Sequence, residues 1–330
     1  MSVKRSKTES TYISVDPKEA SIKEVHQLLL GGVAPRPIAL VSTISKKGIN
    51  NLAPFSFFNA FGANPPIVAF SPSRRGHDGT TKDTLNNLRE IKQCVIQAVT
   101  HDMVEQASLS STEYEPEIDE FIKSGFTPIP SDLIKPMRVK ESPFHMECEV
   151  LQIVPLGDKN ASGNLVICEV IRFHFHPEIF KDGIIEPDLI DLVGRNSSNY
   201  YTRASGEAIF SITKPIGKKG IGFDNLPVFV KQSHVLTANN LGQLANCESI
   251  PSQDEMDSFV NSTGTTADTG DIYISSFIFK SLDEMIPIAV TRWKNKHDEA
   301  KDFLEITAKK ALDNKKPDVA WKLLLLSNRE

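Results

Sequence analysis

Six stretches of the chain carry apolar side chains in runs or in alternation: residues 37–44, 54–61, 67–70, 94–99, 144–155 and 165–175. They are rich in Val, Ile and Phe and are parted by Gly, Pro, Asn and Asp, the composition of strands and turns rather than of helices. Few long helical patterns separate them, so the strands are expected to pair antiparallel and form a barrel, not a doubly wound parallel sheet. Helical spacing occurs at Ile22, Val25, Leu28 and Leu29, where Asp16-Pro17 can start a helix and Gly31-Gly32 can end it. It recurs at Leu85, Leu88, Ile91 and Val95 after the polar start Thr80 to Thr84, and again over residues 103–109. The acidic stretch 113–123 is expected to cover one face.

Near residue 213 the texture changes. Lys214-Pro215-Ile216-Gly217-Lys218-Lys219-Gly220 reads as a hinge, and the tail from Trp293 to Leu326 is helical in pattern around a break at Pro317. The expected organisation is therefore a barrel domain over residues 1–213 and a partly helical extension over 214–330.

Charge narrows the function classes. The 37 basic and 42 acidic residues of the 330 balance to −5 without a long block of either sign, so neither nucleic acid nor an anionic membrane surface is an expected partner. Residues 1–19 are charged with no apolar segment behind them, and no apolar run approaches a membrane span; a cytoplasmic protein is expected. Cys94, Cys148, Cys168 and Cys247 show no C-x-x-C pairing and read as buried, reduced thiols.

Two clusters carry candidate chemistry. Between residues 36 and 60, Ser42, Thr43, Asn51, Ser56 and Asn59 supply neutral hydrogen-bonding groups, Phe57 and Phe58 flat apolar surface, and Arg36 a fixed charge. That combination suits an aromatic ring system with polar edges. Between residues 71 and 84, hydroxyls, Arg74, Arg75 and Lys82 precede a helix start, where free N–H groups favour an anion such as phosphate. Taken singly, Thr81 reads as a helix cap and Phe57 and Phe58 as core; the conjunction is what marks a site. His174 and His176 alternate on one strand face, but no neighbouring carboxylate or cysteine set completes three or four donors, so no metal is expected. Gly220-Ile221-Gly222 lacks the third glycine and the βα setting of a dinucleotide fingerprint.

The strings PRPIALVST (residues 35–43), NLAPFSFFNAFGANPPIVAFSPS (51–73), DGTTKDTLNN (78–87), ESPFHMECEV (141–150) and GRNSSNYYTR (194–203) resemble, in order, the flavin reductase-like family. The resemblance spans roughly residues 20–210. It implies a mainly β fold, an antiparallel Greek-key FMN-binding split barrel with accessory helices, assembled as a homodimer that holds FMN near the subunit interface. On this resemblance Ser42, Thr43 and residues 51–59 border the isoalloxazine and ribityl chain, while Ser71, Lys82, Asp83 and Thr84 meet or support the phosphate. Arg195 with Tyr200 and Tyr201 closes the flavin site, and a histidine in the region of His174 stands near flavin or nicotinamide. The activity implied is an NAD(P)H-dependent flavin reductase passing hydride to flavin N5, with a monooxygenase or another acceptor downstream. A non-enzymatic, flavoredoxin-like FMN electron carrier is the alternative. No side chain is obligatory as acid or nucleophile; His174 and Arg195 are the catalytic candidates, with Arg36 or Arg195 able to stabilise charge gathering on the reduced ring.

Overall fold

The computed structural model describes residues 12–264 and 272–329; the charged segment 1–11 lies outside them. The chain divides into two compact units, Met1–Ser211 and Ile212–Glu330.

In the first unit, α1 (Ile22–Gly32) opens on Ser21, not Asp16: Ser21 Oγ accepts the Glu24 N–H and the Glu24 carboxylate accepts the Ser21 N–H, a reciprocal capping box. Seven strands then form one antiparallel sheet: β1 (Ala39–Ile44), β2 (Asn50–Phe55), β3 (Phe58–Ala63), β4 (Pro66–Phe70), β5 (Gln93–Gln97) and, beyond two two-residue strands β6 (Pro128–Ile129) and β7 (Arg138–Val139), the long hairpin β8 (Phe144–Pro155) and β9 (Asn164–Phe175). Their order is β2-β1-β5-β8-β9-β4-β3. The apolar run 54–61 is thus two strands, broken at Ser56-Phe57.

That break shapes the unit. β2 and β3 are the two edges of the sheet, yet only Ser56 and Phe57 join them, a reach of roughly 7–10 Å. The sheet must therefore curl until its edges meet at this end. Inside the curl sits a core that draws Ala39 and Val41 from β1, Phe55 from β2, Val68 and Phe70 from β4, Cys94 and Ile96 from β5, and Cys148, Val150, Val166 and Cys168 from the long hairpin. Leu85 and Leu88 of α2 (Asp83–Glu90) complete it. β2 and β3 share no ladder, so the barrel is not closed, in contrast to a sealed one. Nor is the fold mainly β: helices make up 34% of the described residues, because the second unit is helical.

The outer face of β1, β2 and β5 buries Leu40 and Leu52 beneath α3 (Val104–Leu109) and α4 (Glu120–Ser124). Asp119 caps α4 by accepting the Phe121 N–H at 2.8 Å, and Gly125 ends it at φ +73°, where a side chain is strained. Beyond the sheet, β10 (Phe180–Lys181) pairs β11 (Ile184–Ile185), α5 (Pro187–Ile190) follows, and β12 (Val193–Arg195) pairs β13 (Tyr201–Arg203).

The second unit comprises α6 (Val228–Lys231), α7 (Ala238–Ala245), α8 (Gln253–Ser262), α9 (Ile274–Phe277), α10 (Leu282–Lys294), α11 (Ala300–Asp313) and α12 (Pro317–Ser327). Pro317 begins α12, where its missing N–H costs no bond. Trp321, Phe303, Phe277 and Met256 fill its core, and the Trp321 indole N–H donates to Leu244 O at 3.3 Å.

No helix among the described residues is long and apolar enough to cross a membrane.

Candidate functional site

The polar residues of β1 and β2 turn to one another. Thr43 and Thr84 both donate to Asn51 Oδ1, at 3.0 and 2.8 Å, Asn87 donates to Thr43 Oγ1, and Asn51 donates to Glu120 Oε1. Glu120 also accepts the Leu52 N–H, and its burial pushes its carboxyl above the usual carboxylate range. Ser42 donates to Met137 O. This network ties α2 and α4 to the hairpin β1–β2, and all its members are buried.

Arg36 is 4% exposed. Its guanidinium donates to Leu30 O, Val33 O and Asn196 O at 2.7–3.0 Å and reaches Ser56 Oγ at 3.3 Å, fastening the end of α1 and the segment after β12 to the β2–β3 bend. Burial, then the neighbouring Arg195, holds its pKa below the ordinary value. Beside it a cavity of about 450 Å³ brings together Pro54, Ser56, Ser108, Arg195, Asn199 and Tyr201. The Arg195 guanidinium lies 4.6 Å from the Tyr201 ring centre. Tyr201, rather than the 71%-exposed Tyr200, is therefore the tyrosine placed with Arg195. Phe57 remains partly exposed 6.0 Å from the Arg36 guanidinium, and Phe58 lines an adjoining apolar cavity of about 420 Å³. Asn59 is exposed, its Oδ1 accepting the N–H of Ala60.

On the other side of the same bend lies the loop from β4 to α2. Ser71 donates its N–H to Phe57 O at 2.8 Å, and Ser71 Oγ accepts the Asn164 N–H. Arg75 braces the loop through Thr80 Oγ1 and Thr81 O, with Glu113 at 3.3 Å and Asp83 at 3.7 Å. Gly79 stands at φ +73°, and a Cβ there would meet Asn160 Oδ1 at 2.6 Å. Lys82 is the N-cap of α2 and makes no side-chain cap bond. Its ammonium sits 5.7 Å from the Phe55 ring centre and has no hydrogen-bond or ion-pair partner among the described residues. Burial first, then Arg75, lowers its pKa. Arg74 donates through Nη1 to Gly79 O, while its Nε is buried without a partner. An unanswered ammonium and an orphaned guanidinium N–H at an uncapped helix start fit an anion; the bend then leads from this corner to the aromatic and polar surface around Ser56.

His174 has a setting the sequence spacing concealed. Its Nε2 lies 2.7 Å from Oε1 of Glu147, a fully buried carboxylate that also accepts the N–H groups of Asp132 and Leu133 at 2.7 and 2.8 Å. Burial alone would raise the Glu147 pKa; those three bonds outweigh it and hold it below the ordinary value. Asp132, Glu147 and His174 thus offer three ligand-type atoms within 4.8 Å, correcting the expectation that no carboxylates accompany this histidine. Asp132 is already faced by Arg138 and Arg172 at 3.9 and 3.7 Å, and Glu147 is committed to its donors. His176 lies beyond the end of β9 and is exposed. Cross-strand register supplies this cluster: Glu147 faces Arg172 and His145 faces His174, a pairing no linear motif encodes.

A family model described as the flavin reductase like domain matches residues 31–193. An uncharacterized protein of Halalkalibacterium halodurans is 37% identical over 205 residues, 62% of this chain and 97% of that one. A second, from Aquifex aeolicus, is 36% identical over 191 residues, 58% of this chain and 95% of its own length. Among solved structures, nitrilotriacetate monooxygenase component B from Bacillus cereus is 31% identical, with a TM-score of 0.58 over 62% of this chain and all of that one. The 2-nitrobenzoate 2-nitroreductase of Pseudomonas fluorescens is 26% identical, with a TM-score of 0.54 over 63% of this chain and all of its own.

Proposed function

Because the chain belongs to the flavin reductase-like family, we propose that it is an FMN-dependent oxidoreductase, a flavin reductase that draws hydride from NADH or NADPH. The observation that carries this reading is Lys82: a half-buried ammonium with no hydrogen-bond or ion-pair partner among the described residues, standing at the uncapped start of α2. Lys82, the orphaned Arg74 Nε and the first N–H groups of α2 would hold the phosphate of FMN. Ser56, Arg195 and the face of Phe57 would receive its ring, and Arg195 would oppose the negative charge that accompanies reduction. FMN, when bound, supplies a ring able to take up hydride and release the electrons to a second molecule.

The relative from Bacillus cereus is named as one component of a monooxygenase, and that supports a monooxygenase, or another electron acceptor, as the recipient of reduced flavin here. A homodimer is part of the same reading: the edge strand β3 is exposed from Asn59 to Ala63, with Phe61 67% exposed, and a second copy seated there would shield a flavin at the bend. A cytoplasmic location completes it.

The test is an absorbance spectrum of the purified chain with FMN, before and after NAD(P)H. Bleaching of the flavin band under anaerobic conditions, restored by air, is the expected result. A bound flavin that NAD(P)H leaves oxidised would make the chain an electron carrier, and no bound flavin at all would overturn the reading.

A further inference from the structure

The turn between β8 and β9, residues 156–163, is seated on the loop 71–82 that leads from β4 into α2. β4 pairs with β9 as far as Phe70 opposite Val166, and Pro72 has no N–H with which to extend that pairing. Asn164 continues it by other means: its main-chain N–H donates to Ser71 Oγ at 3.1 Å, and its Nδ2 donates to Pro72 O at 3.0 Å. Asn164 is 1% exposed, and its Oδ1 is buried without a hydrogen-bond partner among the described residues. An apolar side chain would avoid the penalty of that unsatisfied oxygen, so the use of an amide here lies in its bond to Pro72.

Two further contacts follow along the loop. The Arg74 N–H donates to Ser162 O at 2.9 Å, and Asn160 Nδ2 donates to Gly76 O at 3.2 Å. At Gly79 the loop runs so close to the turn that a Cβ would stand 2.6 Å from Asn160 Oδ1. Arg74 is thereby fixed at both ends, by Ser162 at its main chain and by Gly79 O, which accepts from Nη1 at 3.0 Å. Its Nε, the buried donor assigned above to the phosphate, lies between these two anchors. Fixing a side chain as long as Arg consumes much rotational freedom, and a loop that already holds it relieves the ligand of that ordering. The strands that carry the turn are twelve residues each, the longest of the sheet, so the support is a stiff one.

We propose, resting on the function given above, that the β8–β9 turn sets the phosphate selectivity of the flavin site, with Asn164 and Asn160 as positioning residues that act through Arg74. Neither asparagine needs to touch the ligand. Their effect is to keep the loop, and with it Arg74 Nε, in the place where a phosphate is met, so a flavin without phosphate is indifferent to them.

Fluorescence titration of the full chain with FMN and with riboflavin tests this in Asn160→Ala, in Asn164→Ala, and in each combined with Arg74→Ala. FMN should weaken several-fold in Asn160→Ala and roughly tenfold or more in Asn164→Ala, with riboflavin affinity held within about twofold. Once Arg74→Ala is present, neither change should weaken FMN by more than about twofold further, because the group they hold is gone. Asn160 is exposed, so Asn160→Ala decides the matter even if Asn164→Ala does not fold. Unaltered FMN affinity in Asn160→Ala, a parallel loss of riboflavin, or losses that add in full to that of Arg74→Ala would each overturn the proposal while FMN binding by the unaltered chain leaves the flavin reading standing. Equal affinity of the unaltered chain for the two flavins would do the same. An unaltered chain that binds neither flavin would overturn both.

Discussion

Arg36 and Arg195 exchange both main-chain hydrogen bonds, Arg36 N–H to Arg195 O at 2.9 Å and Arg195 N–H to Arg36 O at 2.8 Å, yet their side chains have opposite employment. The Arg36 guanidinium is enclosed by three carbonyls; that of Arg195 rests on Tyr201 at the wall of an open cavity. Arg36→Ala should accordingly lower stability by roughly 1–3 kcal/mol, because three carbonyls lose a charged donor that is itself buried. Arg195→Ala should cost under about 1 kcal/mol of stability, as an exposed cation–aromatic contact does, while weakening FMN binding. Urea unfolding and flavin titration of both variants check the pair; similar destabilisation by the two would remove the distinction.

Lys82→Ala should weaken FMN by about 10-fold to 100-fold, the loss of one or two charge-assisted hydrogen bonds, and leave riboflavin affinity unaltered. Fluorescence titration with both flavins measures this directly. If riboflavin weakens in parallel with FMN, Lys82 does not meet the phosphate.

His145 predicts an acid-sensitive fold. The unfolded imidazole takes up a proton near pH 6.5, whereas the buried one resists until about pH 4. Between those values the unfolded state holds more protons, so stability falls as pH falls, by about 3 kcal/mol over the window, and the loss from this residue ends below the folded value. His145→Gln should flatten that slope. Both tryptophans lie in the second unit, so the first unit's transition is best followed by circular dichroism at several pH values. An identical slope in the variant would show that other groups carry the acid response.

Cys94, Cys148 and Cys168 are fully buried inside the curled sheet, while Cys247 is half-buried in the second unit. A thiol reagent should modify one cysteine quickly in the native chain and three only as the sheet opens. Four thiols reacting in a single phase would contradict so tight a core.

Much of this architecture was written in local pattern. Alternation marked the strands, and the polar run before Leu85 marked the helix start at which Lys82 stands. What pattern could not give was partnership across the sheet. Ser42, Thr43, Asn51 and Thr84 look alike as ligand groups in one dimension, and only the packing of α2 and α4 on β1 and β2 turns Thr43, Asn51 and Thr84 toward each other and Asn51 toward Glu120, while Ser42 turns to Met137 O. Glu147 was invisible for the same reason: its partners Asp132 and His174 lie 15 and 27 residues away. The split at Ser56-Phe57 was masked because both flanking strands are apolar, and an uninterrupted apolar run carries no sign of a bend.

The two-residue passage between β2 and β3 also sets a rule for how such a chain can vary in evolution. The turn 45–49 closes a hairpin whose ends are already adjacent, and extra residues there would simply bulge into solvent. An insertion between Phe55 and Phe58 would instead slacken the one point that draws the two sheet edges together, separating Ser71 from Phe57 and Arg36 from Ser56. Length should therefore drift freely at that hairpin tip in relatives and stay fixed at this passage.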